Sequence, residues 1–342
     1  MKILITGGCG FVGSNLAIYL KNRLKKVTIA SLDNLFRQGS KINLERLKEN
    51  KIKNFNINIE NQNQILKLGK FDIIIDCCAE AAIEQSKKNA DRVIQTNLIG
   101  TYNILKKCAR DKSKIIFLSS SRVYSIAKLR KLINKQKILN KIKINKQINE
   151  NFDTDSPKSI YGLTKLSSED LIKEFSYIYN MKFIINRFGV ITGPWQFGKQ
   201  DQGFVSLWIA RHFFKKKLSY IGYGGLGHQI RDIIHIDDAC DIICKQIKSI
   251  SKTFNQTFNI GGSRKNKISL LELTRISQNL TGNKLKILRK PKTSNYDIPY
   301  FVSDNSKIKK TFKWSPQKNI NIITKDIYMW LKKNRKLLKR YF

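Results

Sequence analysis

Residues 2–34 constrain the fold more than any other passage. An apolar run, Lys2 to Thr6, enters a glycine turn, and a helical pattern follows from Phe11 to about Arg23. A second apolar run, Val27 to Leu32, ends on Asp33-Asn34. Gly8-Cys9-Gly10-Phe11-Val12-Gly13 fits G-x-G-x-x-G, and Gly7, Gly10 and Gly13 fit the related three-glycine spacing. Between a strand and a helix, such glycines permit a tight turn and bring a pyrophosphate close to the helix N-terminus. Asp33 lies 20 residues after Gly13. Its carboxylate can accept both hydroxyls of an adenosine ribose and would repel a 2′-phosphate, which favours NAD over NADP. A glycine turn without ligand is the alternative; strand, helix and acid in register weigh against it.

The alternation continues along the first half of the chain. Strands are expected at Asn54 to Ile59, Phe71 to Cys77, Lys114 to Ser119 and Phe183 to Arg187, with helices at Asp91 to Asp111 and Ile160 to Tyr179. This predicts an α/β fold, a Rossmann-type doubly wound parallel sheet over residues 1–187. A smaller mixed α/β substrate domain is expected over 188–342, where glycines multiply and regularity falls. Within it, 233–250 should pack back on the first domain, and Leu270 to Leu280 should form an amphipathic helix. The tail after Trp330 reads as a basic surface helix. Residues 126–149 interrupt the pattern with seven Lys, one Arg and no acid. They read as a helix-containing insertion, either a solvated basic loop or a substrate-contacting lid.

Composition narrows the class. At 41% hydrophobic and 10% aromatic residues the chain is globular, and it has no apolar run of the roughly 18 residues needed to cross a bilayer. The opening residues carry no secretory signal pattern. Six cysteines without a CxxC pair, beside three histidines, support neither a metal site nor a disulfide framework, which points to a reducing cytoplasm. The net charge of +40 would attract nucleic acid or anionic metabolites. However, 50 of the 65 basic residues are Lys, spread end to end amid abundant Asn and Ile. That pattern favours AT-rich coding over dedicated nucleic-acid binding, and a phosphate-bearing substrate suits the field equally.

Two further groups carry chemistry. Tyr161 and Lys165 are four apart on a helix and share a face. An ammonium beside a phenol favours the phenolate, which makes Tyr161 a candidate acid/base for a hydroxyl undergoing oxidation. The alternative is an exposed helix face. Ser119-Ser120-Ser121-Arg122-Val123-Tyr124 follows a predicted strand, where α/β folds bind ligands; a turn or cap cluster is the alternative.

Together, Thr6 to Gly13, Asp33-Asn34, Asn97, the serine cluster, Tyr161 to Lys165 and Arg231 to His235 resemble the extended short-chain dehydrogenase/reductases, the NAD-dependent sugar-nucleotide epimerases and dehydratases. The stretches Asp76 to Glu80, Leu118 to Tyr124, Gly193 to Gln196, Asp201 to Gly203 and Ile221 to Asp232 resemble the CDP-paratose 2-epimerases within that family. The resemblance implies that Ser120 hydrogen-bonds the reacting oxygen, Tyr161 moves the proton, and Lys165 holds the nicotinamide ribose and tunes Tyr161. It implies NAD contacts at Gly7, Gly10, Phe11, Val12, Gly13, Asp33, Asn34, Asn58, Ile59, Ala79 and Asn97. Substrate contacts are implied at Glu80, Arg122, Gln202 and Arg231, with Arg231 gripping the nucleotide diphosphate.

Departures matter as well. Dehydratases of the family carry Asp-Glu where this chain has Ser121-Arg122, so 4,6-dehydration lacks its acid and base. Asn58 stands where many members have Asp, and Ser120 where many have Thr. The implied activity is epimerisation of a CDP-linked deoxyhexose at C2, in synthesis of bacterial surface-polysaccharide sugars such as those of lipopolysaccharide O-antigen. Homo-oligomerisation is implied by the same resemblance. UDP- or dTDP-sugar epimerisation at C4, a dehydrogenase releasing its keto product, and a nucleic-acid-binding protein on the same fold are the rivals.

Overall fold

The computed structural model describes residues 1–81, 89–133, 144, 146–199 and 202–342. Nearly half of the 126–149 insertion, at 134–143 and 145, therefore lies outside the described residues, as does Asp201. The chain divides into two compact units. One comprises Met1–Val123, Ser159–Phe188 and Ala239–Phe258; the other comprises Tyr124–Lys158, Gly189–Asp238 and Asn259–Phe342.

The first unit is built on a seven-stranded sheet. Six of its strands are β1 (Lys2–Thr6), β2 (Thr28–Leu32), β3 (Lys53–Phe55), β4 (Ile73–Asp76), β5 (Lys114–Ser120) and β6 (Phe183–Phe188). Their order is β6-β5-β4-β1-β2-β3, all parallel, with Gln256–Ile260 outside β6. Helices cover both faces, so the inner strands are buried along most of their length; β4 is Ile-Ile-Ile-Asp without an exposed position, whereas the edge strand β3 has no buried residue. Leu4, Ile74, Ile115, Phe117 and Ile185 form one continuous core with Ile104, Leu105 and Ile172 from the helices. Chain order reverses at β1, with β2 on one side and β4 on the other, which opens a ligand crevice at the carboxyl ends of these strands.

Three local readings differ from the sequence expectation. β3 stops at Phe55, because the Phe55 carbonyl accepts both Asp33 N–H (3.1 Å) and Ile57 N–H (2.9 Å) and the chain turns away. The helix expected over Asp91 to Asp111 begins at Ala90 and is not uniform. A π-turn at Gln95–Ile99 joins Ala90–Ile94 to Gly100–Asp111. The tail after Trp330 is not simply a surface helix. Its short Arg335–Leu338 turn buries Leu338 completely, and Phe342 stacks with Phe197 at 6.5 Å between centroids.

In the second unit, Ile230–His235 pairs with Lys267–Ser269, Tyr300–Phe301 and Val190–Thr192. Leu218–Ile221 pairs with Ile287–Lys290. Trp208, Ile209, Tyr220, Ile323, Ile327 and Trp330 fill its core. From the insertion, Ile126–Lys131 is helical, its N-terminus capped by Ser125, with Ile126 and Leu129 buried. Arg130 donates to the carbonyls of Ser294, Asn295 and Asp297, which anchors that helix within the unit.

Candidate active site

The glycine turn of the first unit is built for close approach. Gly7 has φ +59, a conformation that side chains resist, and a Cβ on Gly13 would lie 2.3 Å from the Gly7 carbonyl oxygen. Helix α1 (Phe11–Arg23) starts at Gly10 with no side-chain cap. Its first N–H groups are thus left for an anion, with the helix dipole behind them. Asp33 accepts from Cys9 N at 3.0 Å and Leu35 N at 2.8 Å, which fixes its carboxylate beside the turn. Burial raises its pKa, opposed by those backbone donors and the Arg37 charge. Burial and the Asp33 charge push the Cys9 thiol up to about 12, so it is an inert packing group. A cradle that admits no Cβ, an uncapped helix start and a fixed carboxylate fit a dinucleotide pyrophosphate and ribose.

The neighbouring residues named from the sequence take varied positions. Asn34 and Asn58 make turns, accepting from Phe36 N and Glu60 N. Ile59 is buried, and its carbonyl accepts from Asn103. Asn97 is fully buried: its Oδ1 accepts from Glu80 N at 2.7 Å, and its Nδ2 donates to Glu80 O and Thr164 Oγ1. It ties the segment after β4 to the helix carrying Tyr161. The Glu80 carboxylate is held by Arg37 (2.7 Å) and Arg92 (3.4 Å), arginines of its own unit. Arg37 also reaches the Ala79 carbonyl at 3.5 Å.

Tyr161 and Lys165 lie near the start of the Ile160–Tyr179 helix, which Ser159 caps through Gly162 N. Lys165 is 1% exposed; its Nζ donates to Cys78 O at 3.5 Å and sits 4.4 Å from the centre of the Phe117 ring. The Tyr161 phenol is half-buried. Ser120 ends β5 and accepts Arg122 N at 3.2 Å, which leaves its hydroxyl hydrogen for another partner. The turn Ser121–Val123, which holds Arg122, packs against the Tyr161 helix. A phenol, an ammonium and a hydroxyl donor are thus presented by contacting elements.

Arg231 and Gln202 belong to the second unit. Arg231 directs three of its five donors to Ile230 O, Asp297 and Ile298 O, and burial lowers its pKa. Gln202 is exposed in a bridge with Lys199.

Sequence reading missed the buried support beneath the site. Glu169 accepts from Ser119 Oγ and forms a forked ion pair with Arg187 (2.7 to 3.1 Å). Its signal was available: Glu169 continues the four-residue spacing of Tyr161 and Lys165, and Arg187 is a lone charge in the apolar run of β6.

Comparison with known proteins agrees with this geometry. The model of the NAD dependent epimerase/dehydratase family matches residues 3–261. The chain is 28% identical over 341 residues to a CDP-paratose 2-epimerase of Salmonella typhi, covering 96% of this chain and 99% of that one. It is 24% identical to UDP-glucuronate 4-epimerase 2 of Arabidopsis thaliana, over 96% of this chain and 75% of the relative. In fold it resembles the crystal structure of UDP-glucose 4-epimerase from Thermotoga maritima, with a TM-score of 0.82 and 23% identity over 98% of this chain and 100% of that one. The strand order, the glycine cradle and a family match over most of the chain lead to one conclusion: this enzyme belongs to the NAD dependent epimerase/dehydratase family, and NAD is its cofactor.

Proposed function

We propose that the chain epimerises a nucleotide-linked sugar, converting CDP-paratose to CDP-tyvelose by inversion at C2. The end-to-end similarity to the Salmonella typhi CDP-paratose 2-epimerase carries the choice of base and carbon. The absence of an acidic pair at Ser121-Arg122 favours epimerisation over elimination of water.

In this reading Gly7 to Gly13 hold the pyrophosphate, Asp33 holds the adenosine ribose, and Lys165 holds the nicotinamide ribose. When bound, NAD supplies the acceptor for the C2 hydride and its later donor. Tyr161 takes the proton of the C2 hydroxyl and returns it, while Ser120 donates a hydrogen bond to the same oxygen. Between the two transfers the sugar exists as a 2-keto species and presents its other face. Arg231 grips the diphosphate, so that binding energy remote from the reacting carbon keeps the sugar in the site during reorientation. Arg122, Gln202 and Glu80 are assigned to the surroundings of the substrate, with Glu80 acting through its arginines.

Incubation of the purified protein with CDP-paratose, without added NAD, followed by proton NMR of the anomeric and C2 positions, tests the proposal. Formation of CDP-tyvelose is expected. If no conversion occurs with NAD present and the fold intact, the substrate assignment is wrong. UDP- and dTDP-sugars are then the substrates to assay, with C4 as the carbon, in line with the similarity to a UDP-glucuronate 4-epimerase.

A further inference from the structure

The loops that leave β2 and β4 are joined by side chains across the end of β1. Phe36 and Arg37 follow β2, whereas Glu80 follows β4 and Arg92 lies in the first turn of the Ala90–Ile94 helix. Because β1 pairs with β2 on one side and β4 on the other, any contact between these two loops spans the carboxyl end of β1, where the glycine turn begins. Among the described residues three such contacts are present. Arg37 meets Glu80 Oε1 at 2.7 Å and Ala79 O at 3.5 Å, and the Arg92 guanidinium lies 3.7 Å from the centre of the Phe36 ring. Arg92 also reaches Glu80 Oε2 at 3.4 Å, so one carboxylate links both arginines.

The arrangement is more than a surface ion pair. Glu80 is only 6% exposed, and its backbone is fixed on both sides by Asn97, so the carboxylate is a rigid post rather than a mobile partner. The carboxylate end of both ion pairs is buried, whereas the Arg37 and Arg92 side chains are 30% and 38% exposed, so the pairs hold the arginines in place more than they add stability. Phe36, by contrast, is 61% exposed and contributes nothing to the core. The Arg92 guanidinium over its ring holds this aromatic beside the carboxyl end of β1, where it can cover a bound ligand. Two guanidiniums against one carboxylate leave one net positive charge beside the cradle, which suits a pyrophosphate.

We propose that Glu80 is a determinant of cofactor retention: it clamps Arg37 and Arg92, with Phe36, into a strap over the bound dinucleotide. The strap rests on the cofactor placement proposed above and explains how the same NAD molecule stays bound through oxidation and re-reduction of each substrate.

The test uses cofactor alone, without any sugar nucleotide, so the identity of the substrate does not enter. Enzyme loaded with NADH is mixed with pyruvate and excess lactate dehydrogenase, and release is followed as loss of NADH fluorescence. Glu80→Ala should release NADH at least tenfold faster than wild type. Phe36→Leu, at an exposed position that leaves the fold intact, should release it several-fold faster with an unchanged melting temperature. Release within twofold of wild type in both variants overturns the strap. Asp33→Ala gauges the placement separately, through the NAD content of the purified protein. An unchanged content there overturns the placement and the strap with it, whereas a reduced content with unchanged release in the strap variants overturns the strap alone.

Discussion

Removal of Glu169 should be among the most damaging single changes in the first unit. The carboxylate is fully buried and Arg187 is 7% exposed, so truncation leaves a guanidinium inside the protein without its counter-charge. Removing one member of a buried pair costs about 3–5 kcal/mol. The Ser119 hydroxyl loses its acceptor in the same step, which adds about 1 kcal/mol. A loss of about 4–6 kcal/mol is therefore expected for Glu169→Ala, measured as the shift in urea unfolding free energy. For a unit of this size that corresponds to a melting temperature lower by about 8–24 °C. The double variant Glu169→Leu/Arg187→Met removes both charges together and should recover most of the loss, because an apolar replacement of a buried pair is often neutral. A single-variant loss below about 1 kcal/mol would refute the reasoning, as it would mean that water or another anion reaches Arg187. Failure of the double variant to recover would show instead that the fork supports packing that apolar side chains do not reproduce.

Other consequences follow from the same geometry. Tyr161→Phe should keep its bound NAD and lose turnover by ~10²-fold or more; activity near wild type would end its acid/base assignment. Gly13→Ala should lower NAD content and cost about 1–3 kcal/mol, because its Cβ meets the Gly7 carbonyl. Gly69→Ala, with no atom within 4 Å of the new methyl, should be harmless or slightly stabilising in the same unfolding assay. His235 is held neutral by burial, its pKa lowered to about 4, with Asp237, Asp326 and Lys318 facing it. Its unfolded value is 6.5, so the unfolded chain takes up the proton first as pH falls. The second unit should thus lose up to about 3 kcal/mol between pH 6.5 and 4 from this group. A His235→Gln variant should lack that part of the acid sensitivity; an identical pH dependence would contradict it.

The dinucleotide half of the molecule was legible because its signals are local. Strand β1, helix α1 and strand β2 follow from runs of apolar residues punctuated by glycine, and Asp33 falls where the register of β2 ends. The Ile160–Tyr179 helix was readable from its spacing, with Ser159 as cap. What escaped was whatever depends on partners distant in the chain. Glu169 and Arg187 become partners only when β5, β6 and the helix are brought together. The pairing of Glu80 with Arg37, 43 residues away, has no local signal either, since the substrate contact expected at Glu80 comes from the resemblance alone. β3 appeared longer than it is, since Asn56 to Ile59 alternate as a strand would, and only the shared Phe55 carbonyl ends the pairing.

The π-turn at Gln95–Ile99 has a consequence for how relatives of this chain can diverge. A π-turn holds one residue more than a regular turn, and each residue of an α-helix adds about 100° of rotation. Deleting a single residue such as Thr96 would let the whole 90–111 run become one regular helix. Thr101, Asn103 and Lys107, which anchor the later half on Asp76, Ile59 and Leu68, would hold that half in place. The earlier half would then turn as a unit by about a quarter of a revolution, carrying Arg92 away from Glu80 and Phe36 and leaving the glycine turn untouched. One codon gained or lost in this helix is thus a route by which cofactor exchange can be altered while every residue of the nucleotide-binding motif is preserved.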